Sequence, residues 1–225
     1  MGFGYDWGMA HKDLFLNERR VMLEVHLRGR GVVDPRVLRA MEAVPREVFV
    51  PAEYRHQAYT DGPLPIGMGQ TISQPYIVGL MTQELRIDGT CDVLEIGTGC
   101  GYQTAVLCRL ARRVYTMERI AELSAAAREN LGRLGAANVE FRVGDGSAGW
   151  PVERTFERIM VTAALPSLPQ VITEQLAEGG RVVAPVGGAS TQELIVAERR
   201  RGRMVERHLC GCRFVRLIGE HGFSQ

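Results

Sequence analysis

The stretch Val93–Thr104, VLEIGTGCGYQT, constrains the fold more than any other part of this 225-residue chain. An apolar strand runs into glycines at 97, 99 and 101 and then into a helix. Closely spaced glycines let the backbone turn sharply and let a ligand approach the peptide plane. The same alternation continues on both sides. QPYIVGLMTQEL reads as a helix, CDVLEIG as a buried strand, GYQTAVLCRLA as a helix and RRVYTMERI as a strand. AELSAAARENLGRLG reads as a helix stopped by Gly135, NVEFRVGDG as a strand and turn, FERIMVTAA as a strand, and LPQVITEQLAEGG as a helix with a glycine stop. Strands alternating with helices predict a parallel sheet with right-handed crossovers, hence a doubly wound, mostly parallel α/β fold with its ligand at the carboxyl ends of the strands.

The ends of the chain read differently. RVVAPVG, QELIVAERR and RMVERHLCGCRFVRLI alternate as strands that close the sheet with an antiparallel hairpin, Gly202 supplying the turn within the run Arg199–Arg203. That run reads as a solvated hairpin tip rather than a nucleic-acid patch. Upstream, Val21, Met22 and Val25 fall at helical spacing. Asp34-Pro35 reads as the N-cap and first position of a second helix, which Pro45 ends. Residues 45–73 look ordered but irregular. The expected organisation is a single domain over 1–225, with N-terminal helices and a loop in 1–88 as an appendage to a sheet in 89–225.

Composition removes several alternatives. A formal net charge of +1 gives no electrostatic reason for nucleic acid or an acidic membrane as partner. Five cysteines, an odd number at low density, argue against a disulfide framework. Cys210 and Cys212 stand too close for a zinc half-site and no H-E-x-x-H occurs, so no metal is expected. The start, MGFGYDWGMAHKDLF, is not a secretory signal, and Asp6 stands where an acylation signal wants Ser or Thr. No run is long and apolar enough for a membrane helix. A reducing cytoplasm, a monomer and no extended disorder beyond the first dozen positions are the expectations.

Two carboxylates give the glycine loop weight. Glu118 ends the strand after the loop, about 20 residues past the first glycine, where a carboxylate accepts hydrogen bonds from ribose hydroxyls. Asp145, in GDG after the next strand, is placed to face the same crevice and meet an adenine amino group. The third glycine of a dinucleotide fingerprint would come one residue later, where Tyr102 stands, and nearly ninety residues precede the strand. Glu95, just before the loop, suits a ligand with a cationic end. S-adenosylmethionine, with an ammonium, a sulfonium and no phosphate, fits Glu95, Gly97, Gly99, Gly101, Glu118 and Asp145 better than NAD does.

VPREVFVP, LPIGMGQTISQPYIV, VLEIGTGCGYQTAVL, VYTMERI, VGDGSAGWP, IMVTAA, LAEGGRVVAPVG and RFVRL stand in an order and spacing that resembles the protein-L-isoaspartate O-methyltransferases, over about Asn17 to Gly219. The resemblance implies a Rossmann-like methyltransferase. Its methyl group passes from S-adenosylmethionine to the free α-carboxylate of an L-isoaspartyl residue in a damaged peptide, leaving S-adenosylhomocysteine. It implies that Ser73 is the active-site residue and that Thr71, Ile72, Gly97, Gly99, Glu118, Asp145 and Gly146 hold the cofactor. Ile66, Gly67, Val161, Thr162, Ala163 and Ala164 would border the peptide. Two positions depart from the family pattern: Leu165 precedes Pro166 after VTAA, and Arg216 replaces a proline in RFVRL.

The chemistry of the residues agrees. A carboxylate is ionised at neutral pH, so no general base is needed, and the work is alignment and exclusion of water. A serine hydroxyl can orient a carboxylate without taking its charge. Ser73 is therefore expected both to cap the helix that begins near Gln74-Pro75 and to face the acceptor. The alternatives are a related enzyme that esterifies an aspartate of a dedicated peptide, a non-catalytic S-adenosylmethionine-binding module, and a nicotinamide dehydrogenase.

Overall fold

A computed structural model describes residues 14–225. The opening residues read above for a targeting signal, acylation and disorder lie outside the described residues. The core is a seven-stranded sheet of order β5-β4-β3-β6-β7-β8-β9. Its strands are β3 (Asp92–Ile96), β4 (Arg113–Glu118), β5 (Val139–Val143), β6 (Phe156–Val161), β7 (Leu176–Gly187), β8 (Gln192–Arg200) and β9 (Arg203–Cys212). The first four and β7 run parallel; β8 and β9 are antiparallel. The order reverses between β3 and β6, which opens a crevice at their carboxyl ends. Arg201 and Gly202, both at positive φ, form the two-residue hairpin turn between β8 and β9.

The central strands read as unbroken apolar runs because both faces are covered. Val93, Met160 and Val183 point into one core cluster; their neighbours Leu94, Ile159 and Val182 point into another on the opposite face. The helices of the parallel part are α3 (Pro75–Leu85), α4 (Tyr102–Cys108), α5 (Ala121–Arg133) and α6 (Gln170–Glu174). Upstream, α1 (Leu16–Val21) continues through a wider turn over Met22–Leu27, and α2 (Pro35–Ala43) begins as expected with Asp34 accepting from the Arg36 amide. None of the helices is long and apolar enough to cross a membrane among the described residues.

Four expectations need correction. The helix expected over LPQVITEQLAEGG stops at Glu174, because fully buried Leu176 pairs opposite Phe156 and enters β7. The segment 45–73 is not wholly irregular: β1 (Leu64–Gly67) and β2 (Gln70–Ile72) form a small antiparallel hairpin. The N-terminal helices are no appendage, since Met22, Leu27, Leu38 and Met41 share one core cluster with Tyr102, Ala105 and Val106 of α4. Finally, the last expected strand ends at Cys212. The Gln192 side chain takes the Phe214 amide at 2.8 Å, and the chain then crosses to lie beside Ala164.

Candidate active site

The glycine loop is held from three directions. The amides of Gly97 and Thr98 donate to the Met117 carbonyl at 2.8 and 3.2 Å. The amide of Gly99 donates to Glu118 Oε2 at 2.9 Å, while Glu118 Oε1 accepts from Ile120 N at 3.0 Å. Thr162 reaches across from the end of β6, with Oγ1 2.5 Å from the Gly97 carbonyl. Glu118 thus fixes the loop with one lone pair of each oxygen and has the others free to accept further hydrogen bonds. Gly101 does something else. A Cβ there would stand 2.6 Å from Leu131 Cδ1, so this glycine allows α4 and α5 to approach rather than lining the cavity.

Glu95 lies beneath the loop, fully buried, and does not line the cleft. Its Oε2 accepts from Thr104 Oγ1 at 2.5 Å and Thr116 Oγ1 at 2.6 Å, and Oε1 has no partner among the described residues. Burial pushes this carboxyl up to about 7 from its ordinary 4.5, although the two threonine hydroxyls pull the other way. Asp145 is also engaged away from the cleft. Its Oδ1 accepts from the amide and hydroxyl of Ser147, and its Oδ2 accepts from the Glu220 amide at 2.7 Å. Burial opposes its charge, but these donors outweigh it and hold the carboxyl below its usual range. The segment after β9 is clasped here: Ser147 Oγ accepts from His221 N at 3.0 Å, and a Cβ on Gly219 would collide with the Asp145 carboxylate.

Between these parts lies a cleft of about 970 Å³, counting its open mouth. Its walls include Gly97, Gly99, Glu118, Ile120 and Gly146 together with Thr71, Ile72, Ser73, Thr162 and Ala163. The structure thus brings the glycine loop and the hydroxyl-bearing hairpin of the sequence reading into one space. Ile66 approaches Gly99 from β1 without lining the cleft, and Gly67 is exposed at the hairpin turn. Val161 and Ala164 are fully buried, so of the four residues 161–164 only Thr162 and Ala163 reach the cavity. Leu165 is fully buried as well, whereas Arg216 is exposed at the cavity wall.

Ser73 does not cap α3. Gln74 occupies the cap position and no capping bond comes from its own side chain. The carboxylate of Asp61 does the work from a distance, accepting from the Tyr76 amide at 3.3 Å and from Gln74 Nε2 at 2.8 Å. The main chain of Ser73 is held instead by Arg46, a fully buried residue that donates from Nη2 to the Ser73 carbonyl at 2.8 Å and from Nε to the Ala58 carbonyl at 2.7 Å. The Ser73 hydroxyl makes no hydrogen bond within the described residues.

The chain matches the family model described as protein-L-isoaspartate(D-aspartate) O-methyltransferase over residues 17–222. It belongs to that family. It is 52% identical to the protein-L-isoaspartate O-methyltransferase of Methanoregula boonei over 92% of this chain and 96% of that one. To the corresponding enzyme of Syntrophus aciditrophicus it is 50% identical over 94% and 99%. A solved protein-L-isoaspartate O-methyltransferase superposes with a TM-score of 0.80 at 28% identity, covering 90% of this chain and 66% of that one. A Plasmodium falciparum structure assigned to the same enzyme class, in complex with S-adenosyl-L-homocysteine, superposes with a TM-score of 0.79 at 25% identity, covering 90% and 99%.

The cleft fits a nucleoside cofactor of that kind. Glu118 offers acceptor lone pairs, Met117 and Ile120 offer apolar surface, and the glycines leave the loop backbone uncovered. The residues that sequence reasoning missed are Arg46, Asp61, Val215, Leu217 and Ile218; Arg216, expected near the peptide groove with Leu165, does line the cleft, and Leu165 does not. No spacing rule links Arg46 to Ser73 or Arg216 to Ala164; only the folded chain places them together.

Proposed function

We infer that this chain is an S-adenosylmethionine-dependent repair enzyme that methylates the free α-carboxylate of L-isoaspartyl residues in damaged proteins. The observation that carries the reading is that the loop tied to Glu118 and Ser73 line one cleft whose walls hold no histidine among the described residues. An acceptor that is already anionic needs no base. When bound, S-adenosylmethionine supplies an electrophilic methyl group: the acceptor oxygen forms the new C–O bond and the sulfur keeps the electron pair of the broken C–S bond.

What the chain supplies is position. Glu118 orients the ribose, and the amides of Gly97–Gly99 and Gly146 border the nucleoside. Ser73 directs the acceptor carboxylate through its hydroxyl, while Thr162 and Ala163 bound the peptide. Buried Cys100 also faces the cleft, but desolvation pushes its thiol up to about 11, so it stays neutral and takes no methyl group at physiological pH. The five cysteines are all unpaired, in keeping with a reducing compartment, and we take the enzyme to act there as a monomer.

The test is incubation with methyl-labelled S-adenosylmethionine and paired peptides that differ only in Asp or isoAsp at one position. Label in the isoAsp peptide alone, followed by slow release of methanol as the ester collapses, is the expected result. Equal labelling of both peptides would reject repair in favour of a tailoring methyltransferase.

A further inference from the structure

The cleft does not end at Ser73. A second hollow of about 960 Å³, counting its open mouth, shares Thr71, Ser73, Thr162 and Val215 with the first. One wall is the stretch Cys210–Val215, where β9 stops and the chain turns back; the other includes Arg30 and Tyr76. The two hollows therefore form one groove that passes the Ser73 hydroxyl.

Among the described residues, the charged side chains that line the second hollow are both arginines, Arg30 and Arg213. Arg119 and Arg216 line the first hollow together with Glu118. Arg30 is fixed in place, 3.5 Å over the Tyr76 ring and paired with Asp61 at 2.6 Å. Arg213 and Arg216 are different: both are exposed, and neither forms an ion pair among the described residues. Glu118, the carboxylate of the first hollow, already accepts from two backbone amides. An extended peptide advances about 3.3 Å per residue, so a chain laid along residues 213–216 would pass both free guanidinium groups within about three residues of its acceptor.

Resting on the activity inferred above, we propose that the groove beyond Ser73 is a subsite for the residues flanking the acceptor, and that Arg213 and Arg216 make it select acidic side chains there. Guanidinium groups pair with carboxylates through parallel hydrogen bonds. At an exposed site each such pair is worth up to about fivefold in affinity, and salt screens it.

The test compares three isoAsp peptides whose two flanking positions on either side are Glu, Gln or Lys. kcat/KM is measured at low ionic strength and again in about 0.5 M salt. Wild type is expected to favour the Glu-flanked over the Lys-flanked peptide by about tenfold or more at low salt and by much less at high salt. The ratio should fall towards one in Arg213→Gln/Arg216→Gln and survive in Arg213→Lys/Arg216→Lys, which keeps the charges. A wild-type ratio near one, a ratio that the Gln variant leaves intact, or a preference for Lys would overturn the proposal. Methylation of the Gln-flanked peptide without any charge preference would sink the subsite alone. Failure to methylate any of the three would sink the activity itself.

Discussion

Arg46 donates from Nη2 to the main-chain oxygen of Ser73 at 2.8 Å, so a fully buried guanidinium, not the serine's own side chain, holds the loop that brings Ser73 to the cleft. The same guanidinium lies 4.8 Å from the centre of the Tyr102 ring, at the start of α4. It therefore joins the hydroxyl loop, the glycine-loop helix and the N-terminal segment at one point.

Replacing Arg46 with Leu would leave the carbonyls of Ala58 and Ser73 without their donors. Each buried group left unsatisfied costs about 1–3 kcal/mol, so the expected loss for the two is roughly 2–6 kcal/mol, read from the urea midpoint. Stability within about 0.5 kcal/mol of wild type would show that water replaces the guanidinium at no cost.

Ser73→Ala should leave stability almost unchanged, because Ser73 caps nothing. The expected effect is a fall of about ten- to a hundredfold in kcat/KM for an isoAsp peptide, the worth of one hydrogen bond to a charged group. Asp61→Ala should do the reverse to stability, losing about 1 kcal/mol with the cap of α3. Equal melting curves for Asp61→Ala and wild type would remove Asp61 from that role.

Glu118→Ala removes the acceptor of two backbone amides as well as the contact proposed for the ribose. Affinity for S-adenosylhomocysteine should drop about ten- to a hundredfold by calorimetry. Undiminished binding would place the ribose elsewhere.

Glu95 gives a pH signature. Its folded-state pKa is raised to about 7 from 4.5, chiefly by burial, with the charge of Glu118 adding to the shift. A raised pKa means that the folded chain prefers the protonated carboxyl. That contribution is complete below about pH 4.5 and is lost as the pH rises through 7. Gln cannot titrate, so the stability of Glu95→Gln relative to wild type should improve from pH 5 to pH 8, by up to about 3 kcal/mol. A difference that stays flat over this range would mean that Glu95 is ionised throughout.

The parts legible in the sequence are those in which local pattern and tertiary role coincide. Asp34-Pro35, the glycine loop and Glu118 at the end of the next strand obey short-range rules, and the fold keeps them. Where a contact spans the fold, local pattern misleads. Ser73 precedes a helix and looks like its cap, but Asp61 arrives from 15 positions before Tyr76 and takes that place. Gly101 belongs to a glycine motif but serves helix packing against Leu131. Leu176 has helical spacing with Ile172, yet both are fully buried in one core cluster with Leu176 already in a strand.

The clasp between Glu220 and Asp145 spans 75 positions and involves residues that follow every strand of the sheet in chain order. A ribosome delivers the chain from its N-terminus, and folding begins on what has emerged. Every strand of the sheet and the glycine loop precede Val215–Ile218, the last wall of the cleft, in the order of delivery. The cleft is therefore closed on that side only after the parts that carry the glycine loop have been made. A protease that trims the chain after Cys212 would remove that wall of the cleft and, with it, Leu217 from the core.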